Sequence, residues 1–157
     1  MKFVSEVDTK KAFLSYVGKL ADKSYPIKSF YDAGTNVVFH TDYPISPKLD
    51  INYSFYMAEN RAIPEGIMEI GGKETQLNIE EAITREQALR AMTINVAKAW
   101  RQENRMGSIE FGKLANMTVF NCDFLHDDAD KLVAANVVAT IIDGEEVYKN
   151  TDLKSEK

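Results

Sequence analysis

The run Tyr25-Pro26-Ile27-Lys28-Ser29-Phe30-Tyr31-Asp32-Ala33-Gly34-Thr35-Asn36-Val37-Val38-Phe39-His40-Thr41-Asp42-Tyr43-Pro44 decides how the fold is read. Tyr25-Pro26 stops any preceding helix, because proline disfavours helical backbone in the residue before it. Ile27 to Tyr31 then reads as a short helix starting on Pro26. Asp32-Ala33-Gly34 ends it, with Gly34 free to take the left-handed conformation of a C-cap. Val37-Val38-Phe39 is continuously apolar and β-rich, the pattern of a strand buried on both faces, as in parallel sheets. Proline at position 44 keeps that strand from simply continuing. A polar cluster directly after a buried strand is where α/β enzymes place their chemistry.

Upstream, residues 8 to 22 carry Ala12, Phe13, Val17, Leu20 and Ala21 at helical spacing, with Asp8 or Thr9 as the cap. Downstream, Tyr53, Phe55, Tyr56 and Met57 lie in an aromatic-rich stretch over 52–60 that reads as helix. Residues 64–79, with Pro64, Gly66, Gly71 and Gly72, predict a long surface loop of the kind that is often functional. The sharpest local signal is a helix over about 85–103. Thr84 and Gln87 form a capping box there, each side chain serving the other's backbone N–H. Ala88, Leu89, Met92, Val96, Ala99 and Trp100 form its buried stripe. Beyond Gly107 the pattern turns to β. Met117-Thr118-Val119-Phe120 reads as a strand and 121–130 as an acidic loop. Val137 to Ile142, Asp143-Gly144 and Val147-Tyr148 read as a hairpin, because Asp and Gly both tolerate positive φ.

The chain has 157 residues, 45% hydrophobic and 27% charged, the mix of a soluble globular domain. A complete (β/α)₈ barrel typically takes about 250 residues, so this chain cannot close one alone. Nineteen Lys and Arg against 24 Asp and Glu leave a net charge of −5. That balance argues against nucleic acid as a partner, since phosphate binding needs a net basic face. No apolar run approaches the roughly 20 residues of a membrane span, and the N-terminus has no signal-peptide pattern. Cys122 is the single cysteine, which excludes an internal disulfide and suits a cytoplasmic location.

Several segments together resemble the C-terminal part of the metal-dependent amidohydrolase superfamily, most closely the branch called amidohydrolase family 3. The resemblance rests on the Tyr25–Pro44 run, on Asn78-Ile79-Glu80-Glu81-Ala82-Ile83-Thr84-Arg85-Glu86-Gln87-Ala88-Leu89-Arg90-Ala91, on Gly107-Ser108-Ile109-Glu110-Phe111-Gly112-Lys113-Leu114-Ala115-Asn116, and on Asp143-Gly144-Glu145-Glu146-Val147-Tyr148. It spans about residues 20–150, with the segments in the family's order. The sequence departs from the family at three places: His40 stands where Gly is often found, Thr41 where Ser is common, and Asn116 where Asp is usual.

The resemblance implies an α/β architecture (α+β as an isolated piece): the last strand and helix units of a TIM-type barrel, followed by the C-terminal strands of a small β-sandwich. It divides the chain into 1–106 from the barrel, 107–150 from the sandwich and a tail over 151–157. It implies hydrolysis of non-peptide C–N or amide bonds by water activated on a divalent metal, usually zinc. By the resemblance Asp42 is the catalytic aspartate of the last barrel strand and a metal contact, with His40, Thr41 and Tyr43 close to substrate. The family's other ligands, a His-x-His pair among them, have no counterpart, because the chain's two histidines are His40 and His126. A catalytic zinc site needs three protein ligands. The expected product is therefore a hydrolase piece inactive alone. The alternatives are one half of a split hydrolase completed by a second chain, and a non-catalytic binding or assembly module. A barrel strand without its neighbours exposes an unpaired edge, which predicts self-association or docking of a complementary barrel chain. A small-molecule substrate enters only if the site is completed.

Each candidate has a plainer reading beside it. Asp42 is placed to cap a following helix, and His40 suits a strand-end core histidine as well as a ligand. Cys122 and His126, four apart, invite a soft-metal reading, against that of a solvated loop. Asp127, Asp128 and Asp130 lack the alternation and central glycine of a calcium loop. Gly71-Gly72-Lys73-Glu74-Thr75 lacks phosphate-loop spacing. Tyr53, Phe55, Tyr56 and Trp100 line either a pocket or the core.

Overall fold

The computed structural model describes residues 15–40, 51–66 and 72–152. After a 3₁₀ segment Gly18–Lys23, the elements run α1 (Ile27–Asp32), α2 (Ile51–Asn60), two short 3₁₀ turns Gly72–Thr75 and Ile79–Glu81, α3 (Arg85–Met92), α4 (Ile94–Ala99), β1 (Met117–Phe120), α5 (Ala129–Val133), β2 (Val137–Ile142) and β3 (Glu145–Lys149). The architecture is mixed: helices beside one small antiparallel sheet in the order β1-β2-β3.

Local chemistry explains where elements start and stop. Pro26 precedes α1, and Gly34 at φ +77° closes it. The Gly34 amide donates to Tyr31 O and the Thr35 amide to Phe30 O, each at 2.9 Å, the paired bonds of a Schellman cap. The Thr84–Gln87 capping box opens α3, with both reciprocal bonds formed. Asp143 (φ 52°) and Gly144 (φ 83°) both take positive φ in the β2–β3 turn, which matches the right-handed twist of the strands. Asn116 Oδ1 accepts the Asp143 amide at 2.7 Å. The departure from Asp at position 116 thus loses a charge but keeps the acceptor that holds the turn.

Ile27, Phe55, Ala58, Ile83, Ala88 and Leu132 form the core, drawn from α1, α2, α5, α3 and the approach to α3. Phe124 leans on Phe55 with ring centroids 4.7 Å apart, and Phe120 meets Phe124 edge-on at 4.6 Å. These rings join β1 to the helices. Truncating a buried phenylalanine such as Phe55 costs about 3–5 kcal/mol. Buried Asn52 donates to Val133 O at 2.7 Å, tying α2 to the end of α5.

The structure changes four expectations. The helix over 85–103 is two helices meeting at Thr93 (φ −125°, ψ −96°). Thr93 Oγ1 bonds back to Leu89 O at 2.7 Å, a local bond that competes with the helix ladder. Arg101 then takes φ +57° and ends α4 in a second Schellman cap. The break swings Trp100 off the predicted stripe, and it is 73% exposed. Second, Val37-Val38-Phe39 has no regular secondary structure and belongs to no β-ladder among the described residues. The Val37 carbonyl and the Phe39 amide bond to helices instead. Third, the 64–79 stretch begins on buried Ile63 and Pro64 and returns to buried Thr75. Thr75 Oγ1 accepts the Ile63 amide at 2.8 Å, because chain entering the interior must find partners for its amides. Fourth, the acidic loop 121–130 carries Cys122 and Phe124 into contact with the core. The first half of the 8–22 helix and the 153–157 tail lie outside the described residues.

Gly107 (φ +92°) lies against the α3–α4 junction. A Cβ there would stand 2.7 Å from Ala97 Cβ and 3.0 Å from Ile94 Cα. Gly107→Ala meets both an unfavourable φ and a packed backbone, so it is expected to lower unfolding free energy by about 2 kcal/mol or more. The urea midpoint checks this; an unchanged midpoint would show that the turn shifts freely.

Candidate functional site

The segment that leads into the candidate cluster is held by the Asn95 side chain on α4 and by the backbone carbonyl of Ala91 on α3. Asn95, 6% exposed at the second position of α4, donates from Nδ2 to Val37 O at 3.0 Å. The same nitrogen lies 3.4 Å from Tyr31 Oη. Tyr31 in turn donates its hydroxyl to Gln87 O on α3 at 2.8 Å. Asn36 Nδ2 donates to Asn95 O at 2.9 Å, and the Phe39 amide donates to Ala91 O at 3.0 Å. Burial pushes the Tyr31 phenol above its ordinary range, against the opposing effects of Asn95 and the Arg90 charge.

His40 follows at once and is exposed. Thr41, Asp42 and Tyr43 lie outside the described residues. Among the described residues, no three of His, Cys, Asp and Glu come together as a metal site. These residues alone therefore do not fit a divalent metal.

A second polar centre sits below the segment. Arg61, at φ +54° just after α2 and 2% exposed, donates from Nε to Leu77 O at 3.1 Å and from Nη2 to Ser24 O at 3.4 Å. Burial pushes its guanidinium down to about 10, opposed by Glu81 and Tyr25, so it stays charged at neutral pH. Asn78 Nδ2 donates to Ser24 O at 2.8 Å. Glu81 accepts the Ser29 amide at 2.8 Å and the Ser29 hydroxyl at 2.5 Å. Burial works against its carboxylate, but the Ser29 bonds hold it below the ordinary range. Arg61 and Asn78 close the turn before α1; they are architecture rather than chemistry.

The Cys122–His126 stretch is built of turns, so its spacing does not put the two side chains on one helix face. His126 Nδ1 lies 2.9 Å from Asp123 Oδ2. Asp123 Oδ1 accepts the Leu125 amide at 2.8 Å, and Asp127 accepts the Asp123 amide at 2.9 Å. The acidic groups thus serve their own loop. In the glycine pair, Gly72 donates to Ile63 O and its own carbonyl accepts Thr75 Oγ1, a turn closed on itself. Of the four aromatics, Phe55 is core, Tyr56 packs against the core and Trp100 is exposed. Between α2–α3 and the sheet lies an open cleft of about 1070 Å³, lined by Leu89, Met92, Met117, Phe120 and Ile141 among others. A second of about 420 Å³ continues past Val96, Trp100 and Ile109.

The amidohydrolase family's sequence profile matches residues 6–148. The chain belongs to the amidohydrolase family. An N-substituted formamide deformylase of Arthrobacter pascens is 34% identical over 134 residues, which are 82% of this chain and 22% of that protein. An imidazolonepropionase of Fusobacterium nucleatum is 29% identical over 96 residues, 61% of this chain and 19% of that protein. The crystal structure of an amidohydrolase from Thermotoga maritima superposes with a TM-score of 0.57 at 22% identity, over 79% of this chain and 26% of that one. This amidohydrolase chain spans about a quarter or less of the relatives it matches.

Asn95, Tyr31 and Arg61 were not among the residues singled out in the sequence. A polar side chain beside the apolar stripe of a helix was the available signal for Asn95. For Arg61 there was none, since its burial depends on Leu77 and Ser24, distant in sequence.

Burial, together with the charges of Asp127 and Asp123, pushes the Cys122 thiol above its ordinary range. Cys122 is therefore expected to alkylate with iodoacetamide more slowly at pH 7 than free cysteine, because the thiolate is the reacting form. The rate should rise only beyond the usual thiol range; a rate at or above that of free cysteine at pH 7 would contradict this.

Proposed function

We propose that this amidohydrolase-family chain is the C-terminal portion of a metal-dependent hydrolase of non-peptide amide or other C–N bonds, and that Asp42 is its contribution to the catalytic centre. The observation that carries the reading is the family match over 6–148 in a chain spanning 22% of the deformylase's length. In this reading residues 1–106 belong to the last units of a TIM-type barrel. Residues 107–150 belong to a β-sandwich, and 151–157 are a tail. The relatives' names, a deformylase of N-substituted formamides above all, support a small amide as substrate.

Asp42 acts as a proton carrier. Its carboxylate takes a proton from the water whose oxygen attacks the carbonyl carbon. It returns that proton to the nitrogen as the C–N bond breaks, leaving a carboxylic acid and an amine. His40, Thr41 and Tyr43 flank the substrate. The histidine ligands of a divalent ion, zinc in this reading, come from outside this sequence, so the chain by itself is inactive. The apolar clefts and the exposed Trp100, Ile109 and Phe111 favour association. The partner in this reading is a complementary barrel chain or a second copy, and the cytoplasm is the location. Among the described residues, no helix is long and apolar enough to cross a membrane.

Elemental analysis of the dialysed chain is expected to find far less than one zinc per chain; close to one would show a complete ligand set. Combined with the upstream portion of a family hydrolase, the chain is expected to restore amide hydrolysis, and Asp42→Ala to reduce it by at least about a hundredfold. Restored hydrolysis indifferent to Asp42→Ala would favour the assembly-module reading.

A further inference from the structure

Two backbone groups of the segment Asn36–Phe39 bond to helices, the Val37 carbonyl to the Asn95 side chain and the Phe39 amide to Ala91 O. Asn95 Nδ2 serves Val37 O, and the Asn95 backbone carbonyl receives Asn36 Nδ2. Through Tyr31 Oη the same amide reaches Gln87 O on α3. A residue 6% exposed that joins α1, α3, α4 and the segment cannot be replaced by solvent without opening the packing. Asn is suited to the task because it donates through Nδ2 to a carbonyl, whereas the isosteric carboxylate offers only acceptors. We infer that Asn95 is a positioning residue, a latch that fixes Asn36–Phe39 on the helices and so sets the position of His40.

The catalytic meaning of the latch rests on the reading of Asp42, which follows His40 by two residues. The latch itself is made of described residues, and it is measurable without any hydrolysis. Its reporter is the Phe39 amide, bonded to Ala91 O at 3.0 Å. The Asn150 amide, bonded to Val138 O at 2.8 Å in the hairpin region, reports on a distant part of the fold.

The test is site-resolved amide hydrogen exchange on the full chain, with wild type measured at every pH to allow for His40. In Asn95→Asp at pH 7 an ionised carboxylate would face the Val37 carbonyl, two acceptors with no proton between them. Phe39 protection is expected to fall about tenfold while Asn150 protection holds. Lowering the pH to about 4 protonates part of that carboxyl, which then donates to Val37 O, and protection relative to wild type recovers. The ionisable groups facing this position are the Tyr31 phenol and, beyond it, the Arg90 guanidinium. The Tyr31 phenol, pushed above its ordinary range by burial, stays neutral between pH 4 and 7. Asn95→Leu is expected to lose the protection at both pH values. Tyr31→Phe, a milder change, should lower it a few fold in a folded chain.

Three results would overturn the proposal: Phe39 protection unchanged in Asn95→Asp and Tyr31→Phe, loss shared equally by Asn150, or loss in Asn95→Asp without recovery at low pH. In the reconstituted hydrolase the latch predicts a fall in kcat with KM retained for Asn95→Asp at pH 7. Indifference of hydrolysis to Asp42→Ala would remove the catalytic reading and leave the exchange result standing.

Discussion

The amide of Phe39 donates to Ala91 O, and the carbonyl of Val37 accepts from Asn95. Backbone polar groups packed against a core must be paired, and an extended segment usually pairs with neighbouring strands. No described strand lies beside residues 36–39, so the helix junction at Thr93 meets the need. That requirement shapes much of the molecule. Asn95 turns toward the segment, Tyr31 bridges α1 to α3, and the α3–α4 break sets where Asn95 stands. Gly107 then lies against the same junction, where a side chain would collide with Ala97.

The sheet is joined to the helices by aromatic rings rather than by backbone. Phe124 enters from the loop after β1 and stands between Phe55 and Phe120. Leu132 on α5 adds the buried aliphatic contact beneath them. The remaining sheet surface is open, with Val119, Ile142 and Val147 exposed. On the proposed function, these exposed side chains and the two apolar clefts are surface that packs on further protein.

Charged side chains in this fold hold both their own loops and segments distant in sequence. Asp123 and Asp127 serve amides of their own loop, and Glu81 serves Ser29. Arg61 spends its guanidinium on carbonyls of the turn before α1. These four charged side chains are thus committed to architecture. On the proposed function, the chemistry of this chain falls to the short run that begins at His40.

What the sequence by itself determined is set by neighbours in the chain. The α1 stop at Gly34, the Thr84–Gln87 box and the Asp143-Gly144 turn form as read, because a cap or a tight turn is satisfied within four or five residues. Family membership was likewise legible, through motifs carried in order along the chain. What only the tertiary structure decided involves partners distant in sequence. Val37–Phe39 reads as a strand by composition, yet a strand exists only beside another strand. Trp100 reads as buried by period, yet the Thr93 break rotates it outward. Arg61 carries no local signal and Asn95 only its place beside an apolar stripe, because their hydrogen bonds go to carbonyls 16 and 58 positions away. Composition and spacing describe what a side chain prefers; which backbone group it must satisfy is settled only when distant segments meet.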